Sequence, residues 1–192
     1  KTLGTFILDL TLPLDTLWAG MDYGLQKQIK KGKELAFYVK KAENLDDLRL
    51  YHNLLRDFRV KMGFRAPRFS LVAEQWRFLH QKENSCYEVF LCFGADGVLL
   101  AGLGLFINPQ AGSFIEVASA RAKSAGNLPA GDWLRWSIIQ WAKSAGLTHY
   151  DLAGVNPAAA RTAKEANIYR YKAKWGGKFY PVYFYEKYCW QG

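Results

Sequence analysis

Cysteine and histidine are scarce in this chain, three of each among 192 residues. Cys86, Cys92 and Cys189 are too few for a disulfide framework and lie at no metal-ligand spacing. With His52, His80 and His149 as the only imidazoles, no zinc site is expected, and no metal site of any kind. Cys86 and Cys92 fall in alternating strand-like sequence and read as packing residues rather than nucleophiles. His80 and His149 have no evident carboxylate partner in sequence. So few cysteines, with no signal peptide, point to a reducing, cytoplasmic setting. Proline is also rare, at six residues, and no repeat or low-complexity tract interrupts the chain, which excludes disordered and solenoid classes. No apolar run approaches the roughly 18 residues of a membrane span, so no integral membrane segment is expected. The longest, Val98–Ile107, is broken by Gly102 and Gly104 and reads as a buried strand. Missing too are a G-x-S-x-G elbow, a Walker A loop, a dinucleotide fingerprint and an HExxH pair.

What is present is a core: half the residues are apolar and 16% are aromatic. That suits one domain over 1–192, large enough to bury its own interior. The net charge of +9 is uneven. Residues 27–41 hold six lysines against Glu34, and residues 161–187 hold seven cations against Glu165 and Glu186. The other 150 residues sum to about −1, so two short stretches carry the whole excess. They are either two solvated basic faces or one face that attracts a polyanion. The chain starts at Lys1 directly in strand-like sequence, and a piece of a longer protein is expected.

Hydrophobic periodicity orders the elements. Thr5–Leu10 reads as a strand. Pro13 starts a helix with a stripe at 14, 17, 18, 21, 25 and 29, ended by Gly32. Residues 34–40 alternate as a strand. Asn44, with Asp47 three residues on, caps a helix closed by Gly63. Ser70 caps another, running to about His80. Tyr87–Phe93 and Val98–Ile107 form a hairpin about the Asp96-Gly97 turn, and Phe114–Ala120 follows. A long helix over Gly131–Ala145 leads to a strand at Thr148–Leu152, a short polar helix after Asn156-Pro157, and a last strand at Phe179–Glu186. The order β-α-β-α-α-β-β-β-α-β-α-β predicts an α/β (α+β) layer with a central, mostly antiparallel sheet flanked by helices.

The densest candidate stretch is Asn167–Gly177, NIYRYKAKWGG, where aromatics and cations alternate before a glycine pair. By itself it reads equally as an amphipathic strand. It follows WLRWSIIQWAKSAGLTHYDLAGV (133–155), and the two together resemble the Fem family of peptidoglycan aminoacyltransferases. In that family a helix-strand pair ending in Tyr-Asp-Leu-x-Gly precedes a stretch with a Phe-Lys pair and two glycines. The opening LDLTLPLDTLWAGMDYGLQKQIKKGKE (8–34) is similar to the family's entry into its second domain. Arg59, Lys61, Gly63 and Phe64 look like its R-x-G-F turn. The likeness covers almost the whole chain.

The resemblance implies a GNAT acyltransferase fold, present twice in full-length Fem proteins, with this chain as the second copy and an N-terminal GNAT-like domain as partner. It implies transfer of an amino acid from charged tRNA to an amine of a UDP- or lipid-linked muropeptide, in the cytoplasm or at the inner membrane face, without a cofactor. The family's Phe-Lys pair falls on Tyr171-Lys172, which makes these the expected catalytic residues. Lys172 would meet the tRNA terminus or the oxyanion, and the Tyr171 backbone the incoming amine. Arg59, Lys61, Arg121, Asp151, Lys174 and Gly176 are the expected substrate-binding residues, with Asp151 the fallback base. An acyl-coenzyme A enzyme of this fold cradles the pyrophosphate on a loop that begins with Arg or Gln and has glycine three residues later. In the loop RAKSAGNLPAG (121–131) that position is Ser124, which favours tRNA. Two other readings stay open: an N-acyltransferase of envelope synthesis with acyl-coenzyme A as donor, and a degenerate, non-catalytic domain that binds RNA or a partner.

Overall fold

The computed structural model describes residues 3–80, 86–157 and 163–183. Strands β1 (Leu3–Asp9), β2 (Tyr38–Lys41), β3 (Tyr87–Phe93), β4 (Leu99–Asn108), β5 (Ser113–Arg121), β6 (His149–Val155) and β7 (Lys178–Val182) form one seven-stranded sheet in the order β2-β3-β4-β5-β6-β1-β7. Every neighbouring pair is antiparallel except β5 and β6. Helices α1 (Leu14–Ala19), α2 (Tyr23–Glu34), α3 (Leu45–Lys61), α4 (Phe69–Leu79), α5 (Ala130–Ser144) and α6 (Ala163–Ala173) flank it. The mixed α/β architecture with a mostly antiparallel sheet is the one the sequence predicts.

Strand β3 shows why helices cover both faces of the sheet: all seven of its residues are buried. Phe90 and Cys92 point into a core with Leu25 and Ile29 of α2 and Leu134 and Ile138 of α5. Tyr87, Val89, Leu91 and Phe93 alternate to the other side, against Leu48 and Tyr51 of α3 and Ala73 and Trp76 of α4. Burial pushes the Cys92 thiol up to about 12, so it stays an inert packing group.

Local differences from the sequence reading have local causes. The first helix is two: α1 stops at Gly20, and Asp22 restarts the chain by accepting a hydrogen bond from Leu25 N–H at 3.2 Å. Gly32 does not end α2. It is where α5 crosses closely, since a Cβ there would stand 2.8 Å from Trp133 Cβ. The helix runs on to Glu34, and the next strand shortens to β2. Arg68, not Ser70, takes the N-cap of α4, without a side-chain bond. His80 does have a carboxylate partner: its Nδ1 lies 3.1 Å from Glu88, which β3 brings beside the end of α4. The Asn44 cap is as expected, its side chain accepting from Asp46 and Asp47 N–H at 3.0 Å. Cys189 and the end of the last predicted strand lie outside the described residues.

The site is positioned by the one parallel pairing. Strands β5 and β6 pair only at Ser113 with His149, Phe114 with Tyr150 and Ile115 with Asp151, and diverge beyond. The expected splayed pair is present, with α5 as the crossover. Each strand carries a bulge past the last pairing. Opposite Gly104 and Leu105 stand Ala118 and Glu116, leaving Val117 unmatched. Opposite Thr5 and Ile7 stand Gly154 and Asp151, leaving two residues against Phe6. Bulges bend and twist a strand, and here they turn the two strands away from each other.

Candidate active site

The wedge between the diverging strands is a cavity of about 430 Å³. Glu116 and Ser119 of β5, Arg135 of α5, Ala153 of β6, and Tyr171 and Lys172 of α6 line it. The chain reaches this arrangement because residues 167–173 are helical, not extended. On a helix, neighbours diverge by about 100°, which separates the work of Tyr171 from that of Lys172.

Lys172 Nζ donates to the carbonyl oxygens of Ala153 and Gly154 at 3.0 and 3.1 Å. Those carbonyls belong to the β6 bulge, where Ala153 adopts a left-handed φ of 64°. Asp151 holds the bulge: its carboxylate accepts from Ala153 N–H at 2.7 Å and from the Thr5 hydroxyl. Thr5 also reaches the Ala153 carbonyl, at 3.0 Å. An ammonium has three donors, so two bonds to the bulge leave one N–H for the cavity. Burial lowers the Lys172 pKa below the ordinary lysine value; Glu116 and Asp151 pull it back up, and Arg135 pushes it down.

Behind Lys172 lies a polar network that the sequence reading missed. Arg135 forms a two-point pair with Glu116 at 2.7 and 2.8 Å, with the side chains only 12% and 10% exposed. It also donates to Ser119 Oγ and to the Tyr171 hydroxyl, each at 3.2 Å. Tyr150 donates to Glu116, and Tyr171 to Asp132 at 2.8 Å. Burial opposes the charge of Arg135, but Glu116, together with Tyr171 and Tyr150, more than offsets it and drives the guanidinium pKa up. Burial, then the charge of Glu116, raises Tyr150; burial also raises Tyr171, against the pull of Arg135. Both phenols therefore remain donors. Two signals in the sequence could have found the pair. Glu116 shares the period-2 register of Phe114, Ala118 and Ala120, and Arg135 is flanked by the apolar Trp133, Leu134 and Trp136.

The other expected binding residues divide among four places. Lys61 and Arg121 line a second cavity, of about 470 Å³, at the N-terminal end of α5. It shares Ser119 and Arg135 with the first. Arg121 is committed to shaping the following loop, donating to Gly126 and Leu128 carbonyls at 2.5 and 3.0 Å. Arg59 lines a third hollow, of about 450 Å³, with Phe58, Phe64 and Arg65 over Ala118 and Ser119. Asp151 holds the bulge and lines a different hollow from the Lys172 cavity, beside His149. Lys174 follows α6 and lies 4.0 Å from Asp22. Gly176, with φ of 76°, is where the chain packs on α1's end: a Cβ there would stand 2.4 Å from the Gly20 carbonyl oxygen.

Parts of the two basic stretches stand at opposite edges of the sheet. Lys40 and Lys41 sit on β2 at one edge of the sheet, paired with Asp47 at 2.8 Å and Glu88 at 3.2 Å. Lys178 sits on β7 at the opposite edge. Arg161 and Lys187 lie outside the described residues. Among the described residues no group of three His, Cys, Asp or Glu could hold a metal, and no helix is long and apolar enough to cross a membrane.

No family model matches the chain, and no curated protein does. Solved structures match in fold. FemX superposes with a TM-score of 0.79 at 12% identity, over 92% of this chain and 59% of FemX. The C-terminal domain of a protein described as a lysylphosphatidylglycerol synthetase, from Agrobacterium fabrum, gives 0.68 at 15% identity, over 94% of this chain and 60% of that one. An aminoglycoside acetyltransferase from an uncultured soil metagenomic sample, in complex with sisomicin, gives 0.57 at 13% identity, over 82% of this chain and 99% of that one. The fold is thus a GNAT-type fold, similar to that of FemX, and the chain spans about three-fifths of the length of the first two matches.

Proposed function

From a Fem-like GNAT fold built around a splayed cavity that holds Lys172, we propose that this chain is the acyl-transfer domain of an aminoacyltransferase. The donor is an aminoacyl-tRNA, and the acceptor is an amine of a UDP- or lipid-linked peptidoglycan precursor. An N-terminal GNAT-like domain of the same protein would supply the rest of the acceptor site, and no resident cofactor is needed.

The observation that carries this reading is the anchored ammonium, with two N–H groups on the Ala153 and Gly154 carbonyls and a third left for the cavity. In the reaction the acceptor nitrogen bonds to the ester carbonyl carbon. The bond from that carbon to the ribose oxygen breaks, and the amine proton ends on the ribose hydroxyl. Negative charge builds on the carbonyl oxygen between these events. A pre-placed donor there is worth roughly 2.7–4 kcal/mol, because it needs no reorganisation as the charge forms. The Arg135–Glu116 pair is already matched, so its role is to hold the wall of the cavity and the Tyr171 end of α6.

A second reading, an N-acyltransferase using acyl-coenzyme A, draws support from the cavity at the start of α5, where Lys61 and Lys123 flank helix N–H groups. Ser124, in place of a loop glycine, weighs against it. The deciding experiment is mass spectrometry of a UDP-muropeptide incubated with the full-length protein and either charged tRNA or acetyl-coenzyme A. Mass gain with charged tRNA alone supports the first reading, and gain with acetyl-coenzyme A alone overturns it. No gain with either, from folded protein, leaves a non-catalytic binding domain.

A further inference from the structure

The last turn of α3 and the loop after it are exposed without a break from Arg56 to Arg65. A buried core lies one turn earlier, at Tyr51, His52 and Leu54. Four large apolar side chains stand on this tip: Phe58 at 44% exposure, Val60 at 65%, Met62 at 37% and Phe64 at 64%. Phe58 and Val60 point about 200° apart around the helix. It is therefore the end of the helix that is apolar, and not one flank of it.

The tip is held in shape. Gly63 takes a φ of 77°, its N–H reaching the Val60 carbonyl at 3.0 Å, and Phe64 N–H reaches the Arg59 carbonyl at 2.9 Å. These are the two bonds of a Schellman motif. In that motif the residue after the glycine commonly folds back onto the helix, yet Phe64 remains mostly in solvent.

Cations ring the apolar tip. Arg56, Arg59, Lys61, Arg65 and Arg68 stand within residues 56–68, against Asp57 as the one carboxylate. Asp57 pairs with Arg56 at 3.0 Å. Arg59, Lys61, Arg65 and Arg68 form no ion pair among the described residues. Leaving this much apolar surface beside unpaired cations is uncommon on a soluble face. An anionic bilayer surface answers both features: headgroups meet the cations, while Phe and aliphatic side chains enter the acyl boundary. RNA would satisfy the charges and could stack on Phe58 or Phe64, but it offers nothing to Val60 and Met62.

We propose that the α3 tip, residues 56–68, docks the protein on an anionic lipid surface. The docked tip places that surface beside the catalytic wedge. Phe58, Arg59, Phe64 and Arg65 border the hollow whose floor is Ala118 and Ser119, and Ser119 also lines the Lys172 cavity. The inference goes beyond the transfer reaction and stands without it, because binding is measured with neither donor nor acceptor present.

The test is co-sedimentation of the full chain with phosphatidylcholine vesicles, with and without phosphatidylglycerol. Binding should require phosphatidylglycerol. Lys61→Gln and Arg65→Gln should each lower the partition coefficient about fivefold. Phe64→Ser should lower it about tenfold without changing the thermal melt, because its side chain is exposed in the free protein. No binding to phosphatidylglycerol vesicles at low salt overturns the proposal. So does binding that survives Val60→Ser/Phe64→Ser, which would be electrostatic adsorption alone. A Phe64-sensitive gel shift of a single-stranded RNA, or a Phe64-sensitive dimer in sedimentation velocity, each without vesicle binding, would reassign the tip and also overturn it.

Discussion

The Nζ of Lys172 stands 3.0 Å from the carbonyl oxygen of Ala153, a residue held at a left-handed φ of 64° by the bulge in β6. The ammonium is thereby fixed to the strand that forms one wall of the splay. If its remaining N–H meets the developing oxyanion, Lys172→Ala should lower turnover by about 10²–10³-fold, the loss of one oxyanion donor. Substrate affinity should change less, since the contact is made chiefly in the transition state. Lys174→Ala is the control. Lys174 lies beyond the end of α6 beside Asp22 and lines none of the three hollows around Ser119. Single-turnover transfer by both variants decides the matter, and equal, mild losses would remove Lys172 from the chemistry.

The pH dependence follows from the same residue. Burial lowers the Lys172 pKa, so the cation is lost on the alkaline side at a lower pH than for an ordinary lysine. Turnover should fall along an alkaline limb below the usual lysine range. In Lys172→Arg, whose guanidinium does not deprotonate in that range, any residual activity should lack the limb. A limb unchanged in the arginine variant would assign it to another group.

Removing one member of the Arg135–Glu116 pair strands the other in a site where each side chain is about nine-tenths buried. Arg135→Met should cost about 3–5 kcal/mol of stability, as breaking buried pairs generally does. The double variant Arg135→Met/Glu116→Leu should recover much of that loss, because no charge is then left unpaired. Denaturant unfolding of the three proteins measures it. A single-variant cost under about 1 kcal/mol would mean that water reaches the pair.

Two glycines with the same φ of 76° separate strain from packing. At Gly146 a Cβ meets nothing within 4 Å, whereas at Gly176 it stands 2.4 Å from a backbone oxygen. Gly146→Ala should cost only the left-handed conformation, about 1–2 kcal/mol. Gly176→Ala must in addition push apart the end of α1 and the turn after α6, and should cost clearly more. Equal melting temperatures for the two variants would show that this junction yields easily.

The amino-acid sequence by itself determined the order of the elements apart from the split between α1 and α2, the Asn44 cap, the Asp96-Gly97 turn and the crossover helix before a Tyr-Asp-Leu strand. Each is written in a local period, a capping residue or a turn pair, whose physics acts over a few neighbouring residues. It also singled out Tyr171 and Lys172, but their stretch read as an amphipathic strand and is a helix up to Ala173. Tertiary structure decided what local periods cannot carry. Gly32 looked like a helix stop and is a helix crossing, because Trp133 needs the room. Tyr171 and Lys172 part to different partners because α6 is a helix lying across β6. Glu116 meets Arg135 and Tyr150, and Arg135 meets Tyr171, only when β5 and β6 pair at three positions and then separate. These residues come from four elements, and a charge in an alternating strand does not say which distant side chain will answer it. Burial makes that answer obligatory, and only the folded sheet brings the partner within reach.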